Sequence, residues 1–223
     1  SDSNELSETG VIDYSNLYKS VVETILEGDR VGREISLSNF ADVFRFRGTG
    51  ILTITGIPGH GKTEFVDQIL VDLARMYNES SLIVVIDPFN MLSTGGKVSG
   101  YEKAEEILRQ LTHFSHQMGV LVILVAHPFK MKKDEKTGEY DIPDFYSVKG
   151  SSAFFEMSYH GLTIYRTNGM VLVRVLKVKQ NNLGEREADV WFMYDRNSGR
   201  YIPCDEDGGE LAGDHRDKNW LKK

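Results

Sequence analysis

The run "GILTITGIPGHGKTEFVDQILVDLARMY" (50–77) constrains the fold of this chain more than any other stretch. "GILTITG" is short, apolar and β-branched, which predicts a buried strand over 50–55. "KTEFVDQILVDLARMY" places Phe65, Val66, Ile69, Leu70, Leu73 and Met76 at helical spacing, so an amphipathic helix follows. Between them Gly56, Gly61, Lys62 and Thr63 fit the pattern G-x-x-x-x-G-K-[ST]. A glycine-rich turn from strand to helix points backbone N–H groups, and the positive end of the helix, at an anion. Lys62 is then expected to reach the β- and γ-phosphates of a nucleotide, with the Thr63 hydroxyl on Mg²⁺. The candidate nucleotide-binding residues are Gly56, Pro58, Gly59, His60, Gly61, Lys62, Thr63 and Glu64.

Further strands alternate with helices. "SLIVVIDP" predicts a second buried strand with Asp87 at its C-terminal end, where open α/β sheets bind ligands. Asp87 is read as a Mg²⁺ holder that helps place the attacking water; the alternative is a helix N-cap before Pro88. "GYEKAEEILRQLTHFSHQMG" predicts a second amphipathic helix, and "VLVILVAHP" a third strand. His127, at the end of that strand, is read either as a reporter of the γ-phosphate or as a surface histidine opening a loop. "KMKKDEKTGEYDIPDFYSVK", 130 to 149, reads as a long charged surface loop. A helix-like piece over 151–159 and the strands "HGLTIYR", "MVLVRVLKVK" and "ADVWFMYD" complete the pattern. The expected class is α/β, a mostly parallel central sheet flanked by helices, with antiparallel strands toward the C-terminal edge. Its parts are a flexible leader (1–12), an N-terminal helix and linker (13–45), the core (46–203) and a polar tail (204–223).

Composition narrows the functional classes. A formal charge of −7 argues against a broad basic face for nucleic acid, though not against one basic loop or a channel shared in an oligomer. The single cysteine, Cys204, has no internal partner, and the acidic N-terminus is not a signal peptide. No apolar run approaches the length of a membrane span. A cytoplasmic protein is expected, in a bacterial or phage-infected cell on the resemblance described next.

The order "GIPGHGKTEF", "IVVIDPFN", "LVAHP", "KGSSAF", "LVRVLKVK" and "YDRNSGRY" resembles the helicase domain of replicative ring helicases in the RecA-like P-loop superfamily. It is most like phage-type primase–helicases and the mitochondrial Twinkle helicase, and more distantly like bacterial DnaB. The likeness spans about 45–203. It implies an ATPase that couples hydrolysis of ATP, or another NTP, with Mg²⁺ at subunit interfaces to translocation on single-stranded DNA and duplex unwinding. It also implies a homo-oligomer, a hexameric ring, with a primase on the same or another chain. Lys62, Asp87 and His127 take the phosphate, metal and sensor positions. Lys130, Lys132 and Lys133 become DNA contacts, with Lys149 and Arg166 as weaker candidates for DNA or a neighbouring subunit.

Two features depart from that family. Its arginine finger is replaced by Lys177 and Lys179, and lysine lacks the planar fork of arginine. The interval between the first helix, ending near Tyr77, and the acidic strand, starting at Leu82, is too short for the strand that carries the family's general-base glutamate. Glu64 does not occupy that position. The chain is therefore expected to bind nucleotide better than it hydrolyses it. The alternatives are a RecA-like ATPase that is not a helicase, a nucleotide-binding subunit with weak catalysis, and, last, a small-molecule kinase.

Overall fold

A computed structural model describes residues 32–77, 83–92, 100–129, 131 and 133–211. The expected leader, the helix expected over 14–27, the joint at 78–82, Lys130, Lys132 and the tail beyond 211 lie outside the described residues. The chain divides into two units, Ser1–Gly32 and Arg33–Lys223, and all described elements belong to the second.

Among the described residues seven strands form one sheet in the order β2-β3-β1-β4-β5-β6-β7. The elements are α1 (Ser38–Val43), β1 (Gly50–Gly56), α2 (Lys62–Tyr77), β2 (Ile83–Ile86), α3 (Gly100–Met118), β3 (Leu121–Ala126), α4 (Ser151–Met157), β4 (His160–Thr167), β5 (Met170–Val178), β6 (Asp189–Asp195) and β7 (Arg200–Cys204). The strands β2, β3, β1 and β4 run parallel. From β4 to β7 the pairing is antiparallel, with tight connections at β4–β5 and β6–β7 and a longer one, holding the 3-10 turn Asn181–Leu183, between β5 and β6. This is the expected α/β class. It follows from the sequence: β1 and β3 are buried at every position, β3 apolar throughout and β1 apolar but for Thr53 and Thr55, as central parallel strands covered on both faces require.

Each sheet face carries its own helical layer. On one face Phe65, Val66, Ile69 and Leu73 of α2 pack with Leu52, Ile54, Ile123, Val125 and the aromatic group Phe40, Phe44 and Phe46. On the other, Ala104, Ile107 and Leu108 of α3 and Phe154 of α4 pack with Ile51, Val122 and Leu124. The alternation within β3 divides its side chains between the two layers. Buried hydroxyls serve the sheet: Thr55 Oγ1 donates to Ala126 O (2.9 Å), and Ser115 Oγ donates to Val120 O while accepting from Gly50 N.

The segment expected as a linker up to 45 enters the core, since Ile35, Leu37, Phe40 and Phe44 are buried and the compact unit begins at Arg33. The tail expected from 204 begins with a turn, in which Leu211 N donates to Pro203 O and Asp205 N to Gly209 O.

Candidate nucleotide site

The C-terminal ends of β1, β2, β3 and β4 converge on the loop between β1 and α2. Gly56 (φ +149°), Gly59 (φ +79°) and Gly61 (φ +96°) all have positive φ, which glycine alone adopts without strain. Gly56 has a second constraint: a Cβ there would fall on the Ile164 carbonyl oxygen of β4. The turn leads straight into α2, whose first residue is Lys62. Backbone N–H groups and the start of a 16-residue helix thus meet in one place, the arrangement that binds phosphate.

Lys62 is 5% exposed, and its Nζ donates to Gly56 O (2.9 Å) and Ile57 O (3.0 Å). Burial lowers its pKa, against the pull of the Asp87 and Glu64 carboxylates. Thr63 Oγ1 donates to Asp87 Oδ2 at 3.1 Å, so the loop hydroxyl and the strand-end carboxylate, 24 residues apart, share one corner. Both are hard oxygen donors, and that donor set fits Mg²⁺ with most of its shell left to water and phosphate. Asp87 does not cap a helix. The short 3-10 turn that follows spans Phe89–Met91 and has Pro88 at its N-cap position.

His127 extends β3 into the same corner. Its backbone N–H donates to Asn90 Oδ1 (3.2 Å), while its Nδ1 is buried and has no partner among the described residues. Its pKa is lowered first by burial and then by the Lys62 ammonium, with Asp87 opposing. The ring is thus neutral at pH 7, close to both groups, and has a nitrogen to offer. His60 within the loop accepts from Arg166 N through Nδ1 (2.9 Å), and its pKa is lowered by burial, Arg166 and Lys62.

Several contacts here have no local signature in the sequence. Because β4 runs parallel beside β1 with Ile164 opposite Gly56, Arg166 arrives at the loop two residues later. Its Nη2 would stand 3.2 Å from a Cβ on Gly61, and its guanidinium lies 5.9 Å from the Tyr194 ring centroid. Tyr201 Oη donates to Gly61 O (3.1 Å) from 140 residues away, bracing the loop from behind. Burial, then Glu64, raises the Tyr201 pKa, so the phenol remains a donor. A cleft of about 330 Å³ lies alongside, lined by Glu64, Gln68, Arg75, Tyr194, Arg200 and Tyr201 among others. None of Lys62, Thr63 or Asp87 lines it.

The remaining candidates lie elsewhere. The described part of the long charged segment is a built turn. Asp134 Oδ1 accepts from Lys136 N and Thr137 N, Lys133 pairs with Tyr140, and Tyr165 Oη donates to Tyr140 O. Met131, Tyr140 and Ile142 pack beside Ile57, Tyr165 and Leu172, which docks this segment next to the phosphate loop. Lys133 is exposed, with Nζ 4.9 Å from the Tyr140 ring centroid. Lys149 is exposed just before α4. Lys177 and Lys179 sit at the opposite end of the sheet. Lys177 Nζ donates to the Phe155 and Glu156 carbonyls that end α4, and the Lys179 ammonium lies over the Tyr159 ring (4.4 Å).

No known protein-family model matches the chain, and no curated protein matches it in sequence. Its fold is known. A protein solved as an ATPase domain alone superposes with a TM-score of 0.66 at 12% identity, over 86% of this chain and 99% of that one. A DnaB-like replicative helicase, solved for its interactions with primase, superposes with a TM-score of 0.63 at 12% identity, over 86% of this chain and 67% of that one. The class is therefore an α/β domain with a phosphate-type loop on a RecA-like sheet. Within that class the chain shares its fold with the ATPase domains of DnaB-like helicases.

Proposed function

We propose that this chain is the ATP-binding motor core of a replicative-type DNA helicase. The observation that carries the reading is the corner in which Thr63 Oγ1 meets Asp87 Oδ2 at 3.1 Å beside buried Lys62 and the unpartnered ring nitrogen of His127. A nucleotide triphosphate lies along the loop from Gly56 to Thr63. Lys62 exchanges its two carbonyl acceptors for phosphate oxygens, a charge-assisted gain. Thr63 and Asp87 hold Mg²⁺, which supplies Lewis-acid stabilisation of the phosphate charge when bound. His127 offers its nitrogen toward the terminal phosphate, so the end of β3 registers whether that phosphate is present.

The helicase assignment rests on the shared fold and on the lysine-bearing segment docked beside the loop. In this reading Lys130, Lys132, Lys133 and Lys149 meet the backbone of single-stranded DNA, which lysine binds without reading bases. Copies of the chain assemble in a ring, and each completes its neighbour's site from the end of β5. Arg166, weighed in the sequence as a DNA contact, is better supported as a nucleotide contact of its own chain, because its guanidinium lies against Gly61.

A second reading, nucleotide binding with weak catalysis, draws on one observation. The carboxylates acting on Lys62 are Asp87 and Glu64; Asp87 is committed to Thr63, and Glu64 lines the outer cleft instead. Titration with a fluorescent ATP analogue, with and without Mg²⁺, tests the site. Wild type binds more tightly with Mg²⁺, Asp87→Asn loses most of the Mg²⁺ dependence, and Lys62→Ala loses binding. Equal binding by all three proteins rejects the site.

A further inference from the structure

The two most exposed large apolar side chains among the described residues are Tyr146 (79%) and Phe129 (60%), and the fold places them on neighbouring backbone. Pro128 forms an antiparallel bridge with Val148, and the Phe129 N–H donates to Ser147 O (2.6 Å), so Phe129 pairs with the residue next to Tyr146. Tyr146 is the middle residue of the 3-10 turn Phe145–Ser147, which is fixed from both sides. Asp144 Oδ1 accepts from Ser147 N and Ser147 Oγ (both 2.9 Å), and Ser147 Oγ accepts from Asp144 N (3.2 Å). Phe145 and Val148 are buried, and a Cβ on Gly161 would fall on the Phe145 ring. The turn thus spends Phe145 on the core and holds Tyr146 out in water. Leaving two large rings exposed forgoes the free energy of burying them, and the local fold does nothing to recover it. Met118, Val85 and Leu211, also exposed, stand apart on separate elements.

The stretches that carry the two rings, "HPFKMKK" (127–133) and "FYSVKGSS" (145–152), hold four lysines and no carboxylate; the acidic residues of the segment fall between them, in 134–144. Lys133 and Lys149 are exposed. Aromatic faces set among cations are the combination that binds a single strand, the rings taking its bases and the cations its phosphates. We infer that Phe129 and Tyr146 form a stacking platform for the bases of single-stranded DNA whose phosphates the flanking lysines hold. The inference rests on the single-stranded DNA reading above and adds a second kind of contact, to the bases rather than to the backbone. Every base has a π face, so the platform is indifferent to sequence. In a duplex those faces are covered by the neighbouring bases, so the platform selects single strands. A partner protein is served less well. Two such side chains offer at most roughly 400 Å², about half of what one partner of a stable protein pair buries. His127 stands two residues before Phe129, about 7 Å of extended chain, so the platform begins where the end of β3 meets the nucleotide site.

The test is binding of the full chain, with Mg²⁺ and a non-hydrolysable ATP analogue, to two dye-labelled strands of about 20 nucleotides, read by fluorescence anisotropy. One strand is oligothymidylate and the other is abasic, with the same phosphates. The wild type binds oligothymidylate on the order of tenfold more tightly than the abasic strand. Phe129→Ala and Tyr146→Ala each lose most of that preference, Tyr146→Trp keeps it, and circular dichroism shows all three folded. Lys149→Ala instead weakens both strands alike and leaves their ratio unchanged. A wild type that binds both strands equally overturns the inference, and so do alanine variants that keep the wild-type ratio. Alanine variants that bind DNA as the wild type does but self-associate less in analytical ultracentrifugation reassign the rings to an interface between copies and also overturn it. Binding to neither strand defeats the single-stranded DNA reading itself, and the inference with it.

Discussion

His160 opens β4 at the centre of the sheet, 1% exposed, with neither ring nitrogen hydrogen-bonded and Phe44 edge-on at 5.0 Å. Burial, followed by the charges of Arg47 and Lys177, lowers its pKa from 6.5 to about 4. In the unfolded chain the ring takes up a proton near pH 6.5, while in the folded chain it resists until about pH 4. A lowered folded pKa means that the unfolded state binds more protons as the pH falls. The contribution of His160 is therefore complete above 6.5 and is lost between 6.5 and about 4. The full loss is about 3 kcal/mol, of which about 1.4 kcal/mol has gone by pH ~5.5 and about 2.5 kcal/mol by pH ~4.5. His160→Leu removes the titration and fills the site with carbon. His60 and His127 are lowered in the same direction in both proteins, so the difference between wild type and variant isolates His160. Urea unfolding followed by circular dichroism at a series of pH values measures it. The variant gains on the wild type by about 2.5 kcal/mol between pH ~7.5 and ~4.5. Parallel losses in the two proteins refute the buried neutral histidine.

Two substitutions at the loop test its architecture. Gly56→Ala puts a Cβ on the Ile164 carbonyl at a φ of +149° and is expected to destabilise by about 3 kcal/mol or more, read as a lower urea midpoint. Tyr201→Phe removes the side-chain donor to Gly61 O and leaves that carbonyl with the Phe65 N–H alone, so nucleotide affinity falls about fivefold, measured by analogue titration, with the fold intact by circular dichroism.

Much of the fold is legible in the sequence because it rests on local pattern. β1 and β3 read as apolar runs since central parallel strands are covered on both faces, and α2 and α3 repeat their apolar residues at helical spacing; β2, expected as a buried strand, instead lies at the sheet edge with none of its residues buried and Val85 exposed. α1 leaves no readable signal because six residues carry too little periodicity to register. β7 is hidden because Pro203 argues against a strand; it is tolerated at this sheet edge, where no neighbour needs its N–H. In the site, Lys62, Thr63 and Asp87 are legible from motif and strand end. Arg166, Tyr201 and Asn90 are not, since each comes to the corner through a pairing between distant segments that no local signal encodes.

ATPase rate with and without single-stranded DNA, run beside Lys62→Ala, decides whether this chain is a nucleotide motor that responds to DNA. A motor of this kind shows a slow basal rate, raised by single-stranded DNA and abolished by the substitution. A rate indifferent to DNA, or one that survives Lys62→Ala, contradicts it.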